Sequence, residues 1–168
     1  ERGFGFVLVD MTDVRDFWET VAQGYITSLQ NVLTDDRVQY KVLIERFIGF
    51  LSADASTAAD NVRKLAERKS AKLRTDLDTV LAALARKHQQ ETLNYQDTVR
   101  ALICLNSNDF GIANMGSAWL QGLDIDEALG RELSFQKRNH TPREIVRSLS
   151  WLMSLTGPTV LAFEQLDP

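Results

Sequence analysis

Pro158 to Pro168 reads PTVLAFEQLDP, and no other stretch constrains the fold as much. Thr159 to Phe163 is short, apolar or small throughout, and opened by Gly157-Pro158. That is the pattern of a strand buried on both faces, which parallel sheets require. The run passes directly into Glu164. A carboxylate at the C-terminal end of such a strand lies where open α/β sheets bind their ligands. The alternative is a buried strand that ends in a solvated acidic turn.

A second run of the same kind opens the chain. Phe4 to Asp10 (FGFVLVD) is β-branched and aromatic, and it too is closed by an acid. It is followed by a helical pattern in which Val14, Phe17, Trp18, Val21, Tyr25, Leu29 and Leu33 recur at three- and four-residue steps. Thr12 or Asp13 is the expected cap. Strand followed at once by helix is half of an α/β unit.

Between the two strands the reading is helical. A helix is expected from about Arg37 to Leu51. Thr57 to His88 contains neither Pro nor Gly. Its leucine stripe, from Val62 and Leu65 to Leu84, predicts one long, largely exposed helix that leaves the core and packs back through that stripe, with the stripe interrupted at Lys69. Further helices are expected over Thr92 to Leu105, Phe110 to Gly122 and Leu123 to Leu129. Thr141-Pro142-Arg143-Glu144 carries a complete helix-start signal: cap, proline at the first turn, and a glutamate three residues on. The expected fold is therefore helix-rich α/β, with parallel strands and a long helical insertion over residues 34–105 within one domain, residues 1–168. An all-helical bundle with two short ribbons competes with it.

Bulk properties exclude several classes. The 168 residues carry a net charge of −4, so no global basic field draws the chain to nucleic acid. Cys104 is the single cysteine and lies in the apolar run ALICL, so an internal disulfide is excluded and a buried thiol is expected. No apolar stretch has transmembrane length, and a cytoplasmic location is expected. The chain starts at Glu1, enters a strand by Phe4 and stops just after the acidic turn. It reads as a piece of a larger protein.

The strand ending at Glu164 has the pattern of a Walker B strand, whose acid holds the magnesium of a bound nucleotide. A phosphate-binding loop needs a glycine-rich turn followed by Lys and Ser or Thr, because backbone N–H groups cradle the phosphates. That sequence does not occur here; Gly111, Gly116 and Gly122 lack the lysine. The loop is expected before Glu1, and the chain alone is expected not to hydrolyse ATP.

At this point a family resemblance appears. FVLVDMTDVRDFWETVAQGYITSLQ, the Trp119-Leu120-x-Gly122 segment and EIVRSLSWLMSLTGPTVLAFEQLDP resemble bacterial P-loop ATPases of the AAA/ORC-like group, including the ATPases of BREX and Pgl phage-defence systems. The resemblance implies a partial P-loop NTPase core that binds ATP and Mg2+. Glu164 takes the place of the magnesium-associated acid, through water. Gln165 takes the place of the residue that activates water; an amide there orients a water but cannot accept its proton. The implied partners are the rest of the same protein, a homo-oligomer or other defence-system subunits, with no membrane.

Other constellations carry less. His88 and His140 have no metal-ligand neighbours at helical spacing. Asp124, Asp126 and Glu127 suit a helix start. Residues 63–87 hold the one basic run, interleaved with Glu67, Asp76 and Asp78. A solvated helix face explains it, and a DNA-contacting arm is the alternative. Trp18, Trp119 and Trp151 are expected in the core. A non-catalytic helical module that binds protein or nucleic acid is the competing functional reading.

Overall fold

Gly5–Asp10 and Thr159–Glu164 form strands β1 and β2 of one parallel sheet, in the register Gly5↔Thr159 to Asp10↔Glu164. The structure, a computed structural model, describes residues 5–12, 14–33, 36–52, 55–137 and 139–164. Among these the sheet has two strands, and everything between them is helix and connection.

The helices are α1 (Phe17–Gln30), α2 (Gln39–Leu51), α3 (Ala58–Ala66), α4 (Ser70–Ala85), α5 (Gln89–Leu105), α6 (Phe110–Leu120), α7 (Glu127–Glu132) and α8 (Pro142–Thr156). α1 packs on β1 and α8, α2 joins α8 to α3, and α5 lies against α4 and α6. One continuous apolar core runs through these contacts, from Val7 and Val9 through Leu29, Ile44 and Phe47 to Leu77, Leu102, Trp119 and Leu149.

Local signals set several helix starts. Thr141 accepts from Glu144 N–H while the Glu144 carboxylate accepts from Thr141 N–H, the reciprocal box expected for α8. Asp109 caps α6 and Asp126 caps α7. Asp16, not Thr12, caps α1; Asp13, the other expected cap, lies outside the described residues. Val14, Phe17 and Trp18 thus fall on its exposed first turn and the approach to it, and Trp18 lies outside the core. Arg143 stands over its ring at 5.4 Å instead. Trp119 and Cys104 are buried as expected.

Two helical expectations are corrected. The single long helix over Thr57 to His88 is two helices, α3 and α4, separated at Glu67–Lys69. Lys69 takes an extended conformation there, and Arg68 turns to pair with Asp76 at 2.9 Å. The leucine stripe packs into the core as expected: Leu73, Leu77, Leu81 and Leu84 are buried, while the residues of α4 between them are exposed or half-buried. The second correction concerns Leu123 to Leu129: the helix starts later, at Glu127, because Asp126 supplies the cap.

The strands are not buried on both faces. Val7 and Val9 face the helices, whereas Phe6, Leu8, Val160, Leu161 and Phe163 are exposed. α1 lies under β1; no described helix is packed comparably under β2. α1 comes so close that a Cβ on Gly24 would sit 2.8 Å from the Leu8 carbonyl oxygen, which only glycine allows. The outer edge of β1 is closed by side chains. Buried Gln39 accepts from Phe6 N–H (3.3 Å) and donates to the Phe6 carbonyl (2.8 Å), and buried Ser28 accepts from Leu8 N–H (3.0 Å).

Candidate functional site at the carboxylate end of the sheet

Both strands end in an acid, and the register places the two side by side: Asp10 pairs with Glu164. Neighbouring strands lie about 4.8 Å apart, so both carboxylates project from the same edge and face. Both residues are exposed. The Thr12 hydroxyl and the Thr12 N–H (2.9 Å) donate to Asp10 Oδ1. These hydrogen bonds, the hydroxyl's first, hold the Asp10 carboxyl below its ordinary range. Asp10 is therefore a fixed anion at neutral pH, and Glu164 stands beside it on the strand with the free edge.

Glu164 thus lies where the sequence placed it. Gln165, expected to orient a water, lies outside the described residues, as does Asp167. Among the described residues no three His, Cys, Asp or Glu side chains form a metal-binding group. A magnesium that arrives with a nucleotide needs fewer protein ligands, since it keeps several waters and takes phosphate oxygens. A cavity of about 490 Å³ opens beside Asp10, between β1 and α1, lined by Asp10, Arg15, Asp16, Glu19 and Gln23 among others. Glu164 does not line it.

The basic stretch has local acid partners. Arg63 pairs with Asp60 (3.0 Å), and Arg68 and Lys72 both reach Asp76 (2.9 and 3.6 Å). Lys87 donates to the Phe50 carbonyl at 2.7 Å and lies over its ring. Pairing within the chain is what a solvated helix face does, and it lowers the charge offered to a phosphate backbone.

A polar cluster that the sequence did not single out lies between α5, α8 and the segment before α8. Buried Asp97 accepts from Gln136 N–H (3.1 and 3.0 Å) and Lys137 N–H (3.0 Å), which pins that segment to α5. Burial raises the Asp97 pKa despite these bonds and the nearby Arg100. Asp97, Trp119, Lys137, His140, Glu144 and Arg147 border a cavity of about 290 Å³. The Trp119 and His140 rings meet edge to face, and among the described residues neither Trp119 Nε1 nor His140 Nε2 has a hydrogen-bond partner. Desolvation holds His140 down at about 4, against an upward pull from Glu144. It is neutral at neutral pH.

That cluster makes stability pH-dependent. The folded state disfavours protonated His140, so its contribution is complete above its ordinary 6.5 and is lost as pH falls through about 4. Glu144, held at about 2 chiefly by the Thr141 N–H, contributes above its ordinary 4.5 and loses this below. Asp97 opposes both, because its raised pKa favours the folded state in acid. The His140 share, discounted for partial solvation, is about 1–2 kcal/mol between pH 7 and 4. Thermal melts should show stability falling over that interval in the wild type and a flatter profile in His140→Gln. An unchanged slope in the variant would remove His140 from the account.

No protein-family model, no curated protein and no solved structure matches the chain.

Proposed function

We propose that this chain is the metal-side portion of a P-loop ATPase core. Glu164 holds the magnesium of bound ATP through water, and Gln165 orients the attacking water. The observation that supports the reading is the pairing of two parallel strands whose C-terminal ends bring Asp10 and Glu164 to one edge of the sheet. That edge is where α/β sheets bind ligands. The phosphates need a glycine-rich loop that this sequence lacks. Under this reading the loop belongs to the rest of the same protein, and hydrolysis belongs to the intact protein. A role in phage defence, a cytoplasmic setting, and oligomeric or defence-system partners are part of the same proposal, because the resemblance carries them together. Among the described residues no helix is long and apolar enough to cross a membrane.

The test is nucleotide affinity of the intact protein, measured with and without magnesium. Glu164→Ala is expected to weaken Mg–ATP binding by about 10- to 100-fold and to leave magnesium-free binding unchanged. Gln165→Glu is expected to raise hydrolysis, since a carboxylate accepts the proton that an amide cannot. Equal magnesium dependence in wild type and Glu164→Ala would leave Glu164 as the polar end of a strand. The second reading, a non-catalytic helical module, would then stand. The preponderance of helix over a two-stranded sheet favours that reading.

A further inference from the structure

The cavity between α5, α8 and the segment before α8 gathers polar side chains that are withdrawn from water. Asp97 (6% exposed), Thr98 (2%), Ser148 (1%) and Trp119 (1%) all line it. Three of the four are satisfied within the chain. Asp97 accepts from the Gln136 and Lys137 N–H groups. Thr98 Oγ1 donates to Ser148 Oγ (2.8 Å), which donates to the Ile145 carbonyl (3.0 Å). Trp119 Nε1 is the exception, and His140 Nε2 shares its lack of a partner among the described residues. Buried polar groups are otherwise almost always paired, so two orphans on touching rings call for a cause. Both nitrogens are screened from water where the rings meet. His140 lies on the connection before α8 and is only half-buried, so its ring can turn and uncover both. The charged groups are also uneven. Lys137 is paired with Glu144 (3.1 Å), whereas exposed Arg147 has no partner among the described residues. Leu93 and Tyr95 add apolar surface to the lining. The volume, about 290 Å³, stands at the foot of the range for small-molecule pockets, about 300–1,000 Å³. Titratable groups perturbed by burial, here Asp97 and His140, gather in such pockets.

We propose that this cavity binds a small organic carboxylate, with its charge against Arg147, an oxygen accepting from Trp119 Nε1–H, and an apolar body against Leu93 and Tyr95. The His140 ring turns aside as the ligand enters, and in its Nε2–H tautomer it supplies a second donor. A charge-assisted bond to the guanidinium is the strongest single contact on offer. One unpaired cation suits one negative charge. A doubly charged phosphate fits less well, because it would set two charges near Asp97 and Glu144 with a single guanidinium against it. The cavity shares no residue with the carboxylate edge of the sheet, so the proposal stands or falls apart from nucleotide binding.

The probe is benzoate, with benzamide as its neutral counterpart and inorganic phosphate as the competing anion. Each is titrated into the full chain, and the indole N–H resonance of Trp119 is followed by NMR. Millimolar benzoate should shift that resonance in a saturable way and leave the Trp18 indole, which lies outside the cavity, unmoved. Benzamide and phosphate should each bind at least about tenfold more weakly than benzoate. Arg147→Gln, an exposed change, should weaken benzoate at least about tenfold and benzamide less than about twofold. Asn94→Trp, also exposed and on the cavity lining, should fill the space and abolish binding of both. No shift at Trp119 with benzoate, or benzoate bound equally by wild type and both variants, would overturn the proposal. So would benzamide or phosphate binding as tightly as benzoate, since the ligand would then be neutral or a phosphate rather than a carboxylate.

Discussion

Gly116→Ala is expected to destabilise the fold by about 2–3 kcal/mol, the upper part of the range for overpacking a tight contact. A Cβ at Gly116 would lie 2.6 Å from the Ala101 carbonyl oxygen, 2.7 Å from the Leu105 nitrogen and 3.0 Å from Cys104 Cβ. Two of these are backbone atoms of α5, so no side chain can swing aside. α5 and α6 must separate, and Ile103, Met115 and Trp119 in the surrounding core lose contact with them. Urea denaturation should show the midpoint fall with little change in slope, and the melting temperature should drop by about 5–10 °C for a chain of this size. Gly111→Ala is the control. It lies one helical turn or so earlier on α6, its nearest atom is Asp109 Oδ1 at 3.3 Å, and alanine is the better helix former. That variant should be neutral or slightly stabilising. Equal effects at the two sites would mean that helix propensity, not the α5–α6 approach, governs this position.

The sequence was most readable where its signals are local. β1 and β2 follow from two short apolar runs closed by acids; their parallel pairing was expected because both runs read as buried on both faces, and the pairing holds although that burial does not. α8 follows from a box confined to Thr141 through Glu144. No glycine or proline marks the division of α3 from α4, and its one trace in the sequence is the interruption of the apolar stripe at Lys69, where the break falls. It depends on partners elsewhere, such as the Arg68–Asp76 pair and the Asn108 N–H donating to the Ala66 carbonyl. Strand burial failed for a related reason. An apolar run states that a strand can be covered on both faces, and it carries no information about which faces the present residues cover. At the carboxylate edge, the place of Glu164 was legible but its neighbour was not: Asp10 became part of the site only through the register. Asp97 left no signal at all, since its hydrogen-bond partners Gln136 and Lys137 lie 39 and 40 positions away.

Arg100 should give the other large effect, and the choice of substitution separates its charge from its volume. The side chain is buried in α5, donates from Nη1 to the Leu133 carbonyl (3.1 Å) and from Nη2 to Asp78 (2.8 Å), and so ties α5 to α4 and to the end of α7. Its charge also holds down the raised pKa of Asp97. Arg100→Ala removes the cation, orphans the carbonyl of fully buried Leu133 and leaves a cavity, at a cost of about 3–5 kcal/mol. Arg100→Met keeps most of the volume and puts no new charge inside. Asp78 is half exposed and returns to water at little cost, so the loss reduces to the Leu133 carbonyl, about 1–3 kcal/mol. Removing the cation also lets the Asp97 pKa rise further. The native state then prefers the protonated acid more strongly, and both variants should lose less stability than wild type as pH falls from 7 toward 4. Equilibrium unfolding at both pH values distinguishes the contributions. If Arg100→Met were as damaging as Arg100→Ala, the charge rather than the packing would hold α4, α5 and α7 together; if both were neutral, the Leu133 carbonyl would have to be satisfied by something other than Arg100.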